Sequence, residues 1–254
     1  MTSTGQDRTV AALRAKLSGR GLIMTWFTIG SVPLVEMATQ QGGDLALIDA
    51  QHGLWDRSAL YGAVRASAVP VMIRAADHSN LHIGAALDSG AIGVLAPSVV
   101  NAEQAEAVVT AARYPPVGER SGGGVHALGV GFERYYAQAK DPLIGVMIEA
   151  VEGVTNAAAI AAVAGVDFVF IGTGDLSFSI GCFPEVDHRL EDACQAVLAA
   201  CRAQGKPCGI LTHSHEAAQQ RRAEGFAVVV AAHDIGIVKS GFHRANQALA
   251  RRAN

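Results

Sequence analysis

Five side chains that could do chemistry share one kind of place. Glu149, Asp175, Asp49, His52 and Arg74 each stand at or just past the end of a short apolar run. A charge at the end of a buried strand is costly unless it meets a partner or a ligand. Glu149 and Asp175 carry hard carboxylate oxygens, which suit Mg2+ or Mn2+ better than a closed zinc site. The same spacing also fits two carboxylates that are solvated or salt-bridged to Arg74. Asp49 and His52 bracket the turn Asp49-Ala-Gln-His52. A carboxylate beside an imidazole fixes its tautomer and raises its basicity, as a general base requires. A capping aspartate and a surface histidine would have that spacing too. Arg74 could neutralise a carboxylate or a developing enolate, or form a structural ion pair.

Weaker signals surround these. Gly172-Thr-Gly174 precedes Asp175 on a turn, and small residues there let backbone N–H groups approach an anion. It lacks the third glycine of a dinucleotide fingerprint and opens no clear helix. Ser121-Gly-Gly-Gly124 has no following Lys-Ser or Lys-Thr, so it is no P-loop and reads as a flexible loop. His213-x-His215 lacks supporting cysteines and reads as solvated or supporting rather than metal-ligating. His233-Asp234 closes the last apolar run. His78, His82, His126, His188 and His243 are scattered.

The elements that must hold these residues repeat a simple rhythm. Apolar runs at Leu22–Phe27, Leu45–Ile48, Val69–Ile73, Ile92–Ala96, Leu143–Ile148, Val166–Ile171, Cys208–Leu211 and Phe226–Ala231 have the near-continuous hydrophobicity of parallel strands covered on both faces. Between them lie segments of helical spacing: Pro33–Gln41, Arg57–Ser67, Leu81–Ser89, Ala102–Arg113, Thr155–Val163, His188–Gln204, Glu216–Glu224 and Ile235–Arg252. Eight strand–helix units predict an α/β fold, a closed (β/α)8 TIM barrel formed by residues 1–254 as one domain, with an extra N-terminal helix over Asp7–Leu17. In such a barrel, chemistry sits at the C-terminal strand ends, where all five residues fall. The segment Tyr114–Pro142 breaks the rhythm, and a loop of that length is expected to be functional or to lie at an interface.

Bulk properties narrow the function further. The chain has 254 residues, 50% of them hydrophobic, which is enough for one large core. A net charge of −3 with no basic run gives no electrostatic support for binding nucleic acid or an anionic membrane. No apolar stretch is long enough to span a bilayer, and Met1–Gly21 has no apolar signal core, so a cytoplasmic protein is expected. Cys182, Cys194, Cys201 and Cys208 form no C-x-x-C pair, which argues against a zinc cage or redox motif. Lys16, Lys140, Lys206 and Lys239 fall outside the expected C-terminal strand ends, so no Schiff-base lysine is in place.

Five ordered pieces carry a resemblance. Asp44-Leu-Ala-Leu-Ile-Asp-Ala-Gln-His-Gly53, Leu87-Asp-Ser-Gly-Ala-Ile-Gly-Val-Leu-Ala-Pro97, Ala111-Ala-Arg-Tyr-Pro-Pro116, Val146-Met-Ile-Glu149 and Val166-Asp-Phe-Val-Phe-Ile-Gly-Thr-Gly-Asp-Leu-Ser177 resemble the HpcH/HpaI aldolases, the class II pyruvate aldolases, from about Leu22 to Gly241. The resemblance implies reversible cleavage of a 4-hydroxy-2-oxo acid to pyruvate and an aldehyde. It implies a divalent metal (Mg2+, Mn2+ or Co2+) on Glu149 and Asp175, His52 as base, and Asp49 paired with that base. It implies Arg74 steadying the enolate, and Gly172, Thr173, Gly174 and Asp175 holding the substrate carboxylate. Asp88 matches an acidic residue supplied across a subunit interface, in a homo-oligomer built as a trimer of dimers. The chain departs from the family pattern at Gln51, Met147, Thr173, Asp77-His-Ser-Asn80 and Gly123-Gly-Val-His-Ala127, which bears on substrate choice. A CoA-ester lyase of the citrate lyase β type, or a non-catalytic binding barrel, is the alternative; no clear basic patch for CoA phosphates is visible.

Overall fold

Eight parallel strands close on themselves in sequence order: β1 (Leu22–Phe27), β2 (Leu45–Asp49), β3 (Val71–Arg74), β4 (Gly93–Ala96), β5 (Leu143–Ile148), β6 (Phe168–Ile171), β7 (Cys208–Ile210) and β8 (Val228–His233). This computed structural model describes residues 8–250. The (β/α)8 barrel expected from the sequence is therefore present, with the extra helix in front of it at Val10–Ser18. Asp7, Arg251 and Arg252, which the sequence placed in the terminal helices, lie outside the described residues. Among the described residues no helix is long and apolar enough to cross a membrane.

Strand alternation sorts side chains into two cores. Leu22, Met24 and Trp26 of β1, Leu45 and Leu47 of β2, Met72 of β3, Leu95 of β4, Leu143 and Met147 of β5, and Phe168 and Phe170 of β6 fill the inside of the barrel. The intervening residues, such as Ala46, Ile48, Ile73, Val146 and Ile171, face the surrounding helices. Two interior aromatics occupy space that glycines leave open. A Cβ on Gly145 would stand 2.5 Å from the Phe168 ring, and one on Gly209 would stand 2.6 Å from the Phe170 ring. The filled interior leaves only the strand ends to carry polar groups.

Capping fixes where most loops at the C-terminal rim turn into helices. Ser31, Asp56, Ser79, Asn101 and Ser214 each accept a hydrogen bond from the backbone N–H three residues on. Each such cap is worth about 1 kcal/mol. The helices Val32–Thr39, Arg57–Ala66, Asn80–Asp88 and Ala102–Ala112 then return to the opposite end of the barrel.

Two expectations are corrected. Gly172-Thr-Gly174 does open a helix, Thr173–Ile180, with Gly172 as its N-cap. Tyr114–Pro142 is not a bare loop: it holds helices Val125–Val130 and Phe132–Ala139 and a small core of Tyr114, Ala127 and Tyr135. Arg120 is the centre of this segment. Its guanidinium lies 4.7 Å from the Tyr114 ring centroid, 2.6 Å from the Tyr135 hydroxyl and 3.1 Å from Asp88. The segment packs where the helix Asn80–Asp88 ends, at the end of the barrel away from the strand C-termini. A cavity of about 770 Å³ lined by Arg8, Arg65, Arg120, His126 and Lys140 is at that same end.

Candidate functional site

Asp49 and Arg74 pair across β2 and β3, in register. Each is one alternation beyond an interior residue, Leu47 and Met72, so both point into the mouth. Arg74 Nε donates to Asp49 Oδ1 at 2.9 Å and Nη2 donates to Oδ2 at 2.6 Å, both groups being buried. Burial alone would push the Asp49 carboxyl up; the hydrogen-bonded guanidinium overrides it and holds the group below its ordinary value. The Trp26 indole lies 4.9 Å from the guanidinium carbon and donates to Asp49 Oδ2 at 3.3 Å. Arg74 Nη1 has no hydrogen-bond partner among the described residues, so its two N–H groups are left for a ligand.

The expected Asp49–His52 side-chain pair is replaced by a backbone contact. Asp49 Oδ1 accepts from the backbone N–H groups of Gln51 and His52, at 3.1 Å each. The imidazole of His52 is exposed on that turn and has no hydrogen bond among the described residues. Asp49 thus shapes the turn that carries His52 while its charge serves Arg74.

Glu149 follows β5 and points into the same mouth, one alternation past Met147. Its Oε1 accepts from the Ser98 backbone N–H at 2.7 Å and the Ser98 hydroxyl at 2.8 Å. Its Oε2 is buried and has no hydrogen-bond partner among the described residues. Burial, with the nearby negative charge of Asp175 added, pushes the Glu149 carboxyl up, against the pull of Ser98 and Arg74. Asp175 is exposed in the first turn of Thr173–Ile180, where a carboxylate also suits the helix dipole. Gly172 makes room: a Cβ there would lie 2.6 Å from Glu149 Oε2. A buried carboxylate oxygen without a donor, a second carboxylate within electrostatic reach, and a bare backbone beside them fit a small hard cation. Among the described residues no cluster of three or more His, Cys, Asp or Glu ligands exists.

Other residues fall away from this centre. Asp88 ends its helix at the opposite end of the barrel and is bound to Arg120. His215 is exposed and bonded to Gln219, and His126 packs between Tyr61 and Tyr135. Lys16 is paired with Asp44, and Lys206 donates to Val163 and Val166 carbonyls, away from the mouth. The four cysteines are buried and free.

Trp26 and Ser98 are not singled out from the sequence, and Asp234 is noted there only as closing the last apolar run. Trp26 could be found from strand parity, as the last inward residue of β1. Ser98 holds Glu149 from a left-handed backbone, φ 56°, which costs a non-glycine residue about 1–3 kcal/mol; only the polar residue just past β4 hinted at it. Asp234 Oδ2 accepts from the N–H groups of Thr28 and Ile29, at 2.8 Å each, and so pins the loop after β1.

Comparison with known proteins agrees with this fold. The profile described as "HpcH/HpaI aldolase/citrate lyase" matches residues 22–240. A 4-hydroxy-2-oxovalerate aldolase of Rhodococcus jostii (strain RHA1) is 38% identical, covering 94% of both chains. A hydroxypyruvate/pyruvate aldolase of Pseudomonas aeruginosa is 35% identical over 87% of this chain and 85% of its own. The crystal structure of a family protein from Burkholderia cenocepacia J2315 superposes with a TM-score of 0.88 at 28% identity, covering 94% of this chain and 99% of the other. The chain belongs to the HpcH/HpaI aldolase/citrate lyase family.

Proposed function

We propose that this chain is a metal-dependent pyruvate aldolase, a carbon–carbon lyase that reversibly cleaves a 4-hydroxy-2-oxo acid to pyruvate and an aldehyde. The observation that carries it is the buried Oε2 of Glu149, without a partner among the described residues, with the charge of Asp175 within electrostatic reach. Relatives named for 4-hydroxy-2-oxovalerate and for hydroxypyruvate/pyruvate support the substrate class.

Glu149 and Asp175 would hold one divalent ion, Mg2+, Mn2+ or Co2+, with hard oxygen donors. When bound, the ion supplies Lewis-acid polarisation of the 2-oxo group. The protein's own groups do the rest. Backbone N–H groups of Thr173, Gly174 and Asp175, at a helix N-terminus, receive the substrate carboxylate. His52 takes the C4 hydroxyl proton, the C4 oxygen becomes the aldehyde carbonyl, and the C3–C4 electron pair moves toward the C2 oxygen. Arg74 Nη1 donates to that oxygen as its negative charge grows, while Asp49 and Trp26 keep the guanidinium in place. The proton then returns to C3 and pyruvate results. Asp88 points away from its own mouth, so its role belongs to a homo-oligomer in which it reaches the mouth of another copy.

The test is deuterium uptake into the pyruvate methyl group, followed by mass spectrometry, with Mn2+ and with excess chelator. Exchange should require the ion and should vanish in Glu149→Ala. Absence of exchange with every divalent ion tried, or exchange indifferent to chelator, would overturn the assignment.

A further inference from the structure

β8 carries one residue too many, and the surplus changes what faces the mouth. Met24 of β1 pairs with Val230, but Thr25 pairs with Ala232 and Trp26 with His233, leaving Ala231 unmatched and exposed. Val228 and Val230 point into the barrel. Strict alternation would continue with residue 232 inward and residue 233 outward. A bulge reverses that parity. His233 therefore takes the face of its register partner Trp26, which is interior.

The turned-in imidazole meets a prepared partner. Thr28, two residues past Trp26 on the neighbouring chain segment, places its hydroxyl 3.1 Å from His233 Nε2. The loop bearing Thr28 is the one that Asp234 pins through two backbone hydrogen bonds. His233 Nδ1 lies 3.8 Å from Asp234 Oδ1, too far for a hydrogen bond. The side chain is 34% exposed, so it is open to the mouth rather than sealed in the core. Its register partner Trp26 also stacks under Arg74, so His233 stands at the same end of the barrel as the Asp49–Arg74 pair. Burial is the largest influence on its proton affinity and lowers it, with Arg74 and His213 acting in the same sense and Asp234 and Asp49 opposing. The imidazole is therefore uncharged at neutral pH.

A neutral imidazole and a hydroxyl bonded to each other still have capacity left. The pair owns two donors and three acceptors, and the mutual bond consumes one of each. One donor and two acceptors remain, without net charge. That suits a hydroxyl group, which both gives and takes a hydrogen bond, better than a carboxylate or an alkyl group. The pair lies on the β8–β1 side of the mouth, while Glu149 and the Thr173–Ile180 helix lie across it at β5 and β6.

Resting on the pyruvate aldolase assignment above, we propose that Thr28 and His233 form the specificity site for the aldehyde half, selecting hydroxyaldehydes over alkyl aldehydes of the same size. Glycolaldehyde and propionaldehyde are the probes, because they differ by OH against CH3. The Mn2+-loaded protein is assayed for aldol addition of pyruvate to each, and separately for pyruvate methyl exchange, which needs no aldehyde. Wild type should prefer glycolaldehyde in kcat/KM by ~10-fold or more, the worth of one or two neutral hydrogen bonds left unmade by the analogue. His233→Ala should remove most of that preference, Thr28→Val should remove part of it, and His233→Asn should restore part. Exchange should stay within about twofold of wild type in all three. A preference for glycolaldehyde that persists in both His233→Ala and Thr28→Val, with exchange intact, overturns the proposal. So does an equal loss for both aldehydes accompanied by loss of exchange, which would mark His233 as a support of the pyruvate end. Failure of wild type to exchange pyruvate protons is a different outcome: it removes the aldolase assignment and this proposal with it.

Discussion

Replacing Asp49 by alanine tests the arrangement at the mouth most directly. The carboxylate accepts five hydrogen bonds: two from Arg74, one from Trp26, and the backbone N–H groups of Gln51 and His52. Its side chain is 2% exposed and that of Arg74 is 8% exposed. Removing one partner of a buried pair leaves an uncompensated charge and costs about 3–5 kcal/mol. For a chain of this length that is a fall in melting temperature of roughly 6–20 °C. Asp49→Ala, Arg74→Met and the double variant should be unfolded in urea at several pH values. The double variant should recover much of the loss, because no buried charge remains. The acid branch gives a second readout. Asp49 is held below its ordinary value of 3.8, so its contribution is fully present above that pH and is lost as pH falls through the lower folded value. The gap between wild type and Asp49→Ala should therefore close below about pH 4. A cost under ~1 kcal/mol, or strict additivity in the double variant, would refute the buried-pair account.

Three further outcomes follow from the site. Glu149→Gln should stabilise the metal-free protein at neutral pH by about 1 kcal/mol or more while abolishing Mn2+ binding in calorimetry. Because the Glu149 carboxyl is pushed up by burial, the folded state holds its proton longer; the wild-type penalty should appear as pH rises through the ordinary carboxylate range, and the advantage of the variant should fade in acid. Gly172→Ala would put a methyl group 2.6 Å from Glu149 Oε2 and 3.0 Å from Met147 Cε, so Mn2+ affinity should drop ~10-fold or more alongside an overpacking cost of about 1–3 kcal/mol; unchanged affinity would show that the carboxylate does not need that clearance. His52→Ala should lower aldol cleavage by ~10²-fold or more and leave Mn2+ affinity and melting unaltered, since the side chain is exposed and unpaired; near-wild-type turnover would remove its role as base.

The barrel is legible in the sequence because parallel strands covered on both faces must be apolar throughout, and eight such runs alternate with helical segments. Their edges are less legible. Val69, Val166 and Phe226 look like strand starts because they are buried, yet β3, β6 and β8 begin two residues later, at Val71, Phe168 and Val228. The bulge at Ala231 is invisible for a related reason: Val228 to Ala232 is uniformly apolar, so no alternation exists to be broken. The helix Thr173–Ile180 is masked by glycines that read as breakers, although they serve as N-cap and as clearance for Glu149. At the site, residue types and strand ends point to the right groups, but not to who binds whom. Asp49 and His52 are close in sequence, while Asp49 and Arg74 are 25 residues apart and meet only because β2 and β3 are in register.

The two phenylalanines inside the barrel constrain how this chain can drift. Phe168 fits because residue 145 is glycine, and Phe170 fits because residue 209 is glycine. Each pair behaves as a single volume shared between adjacent strands, so neither member can change freely alone. Gly145→Ala arriving first would meet a ring at 2.5 Å, with Leu95 at 2.9 Å on another side, and overpacking of that kind costs about 1–3 kcal/mol. Phe168→Leu arriving first opens a void instead, and the new methyl group can then settle into it. The passable route between the two states therefore has a direction, shrinking before growing. Related barrels should show residues 145 and 168 varying as a complementary couple, while residue 209 is kept small by the Val228 Cβ, 2.8 Å away, as well as by Phe170.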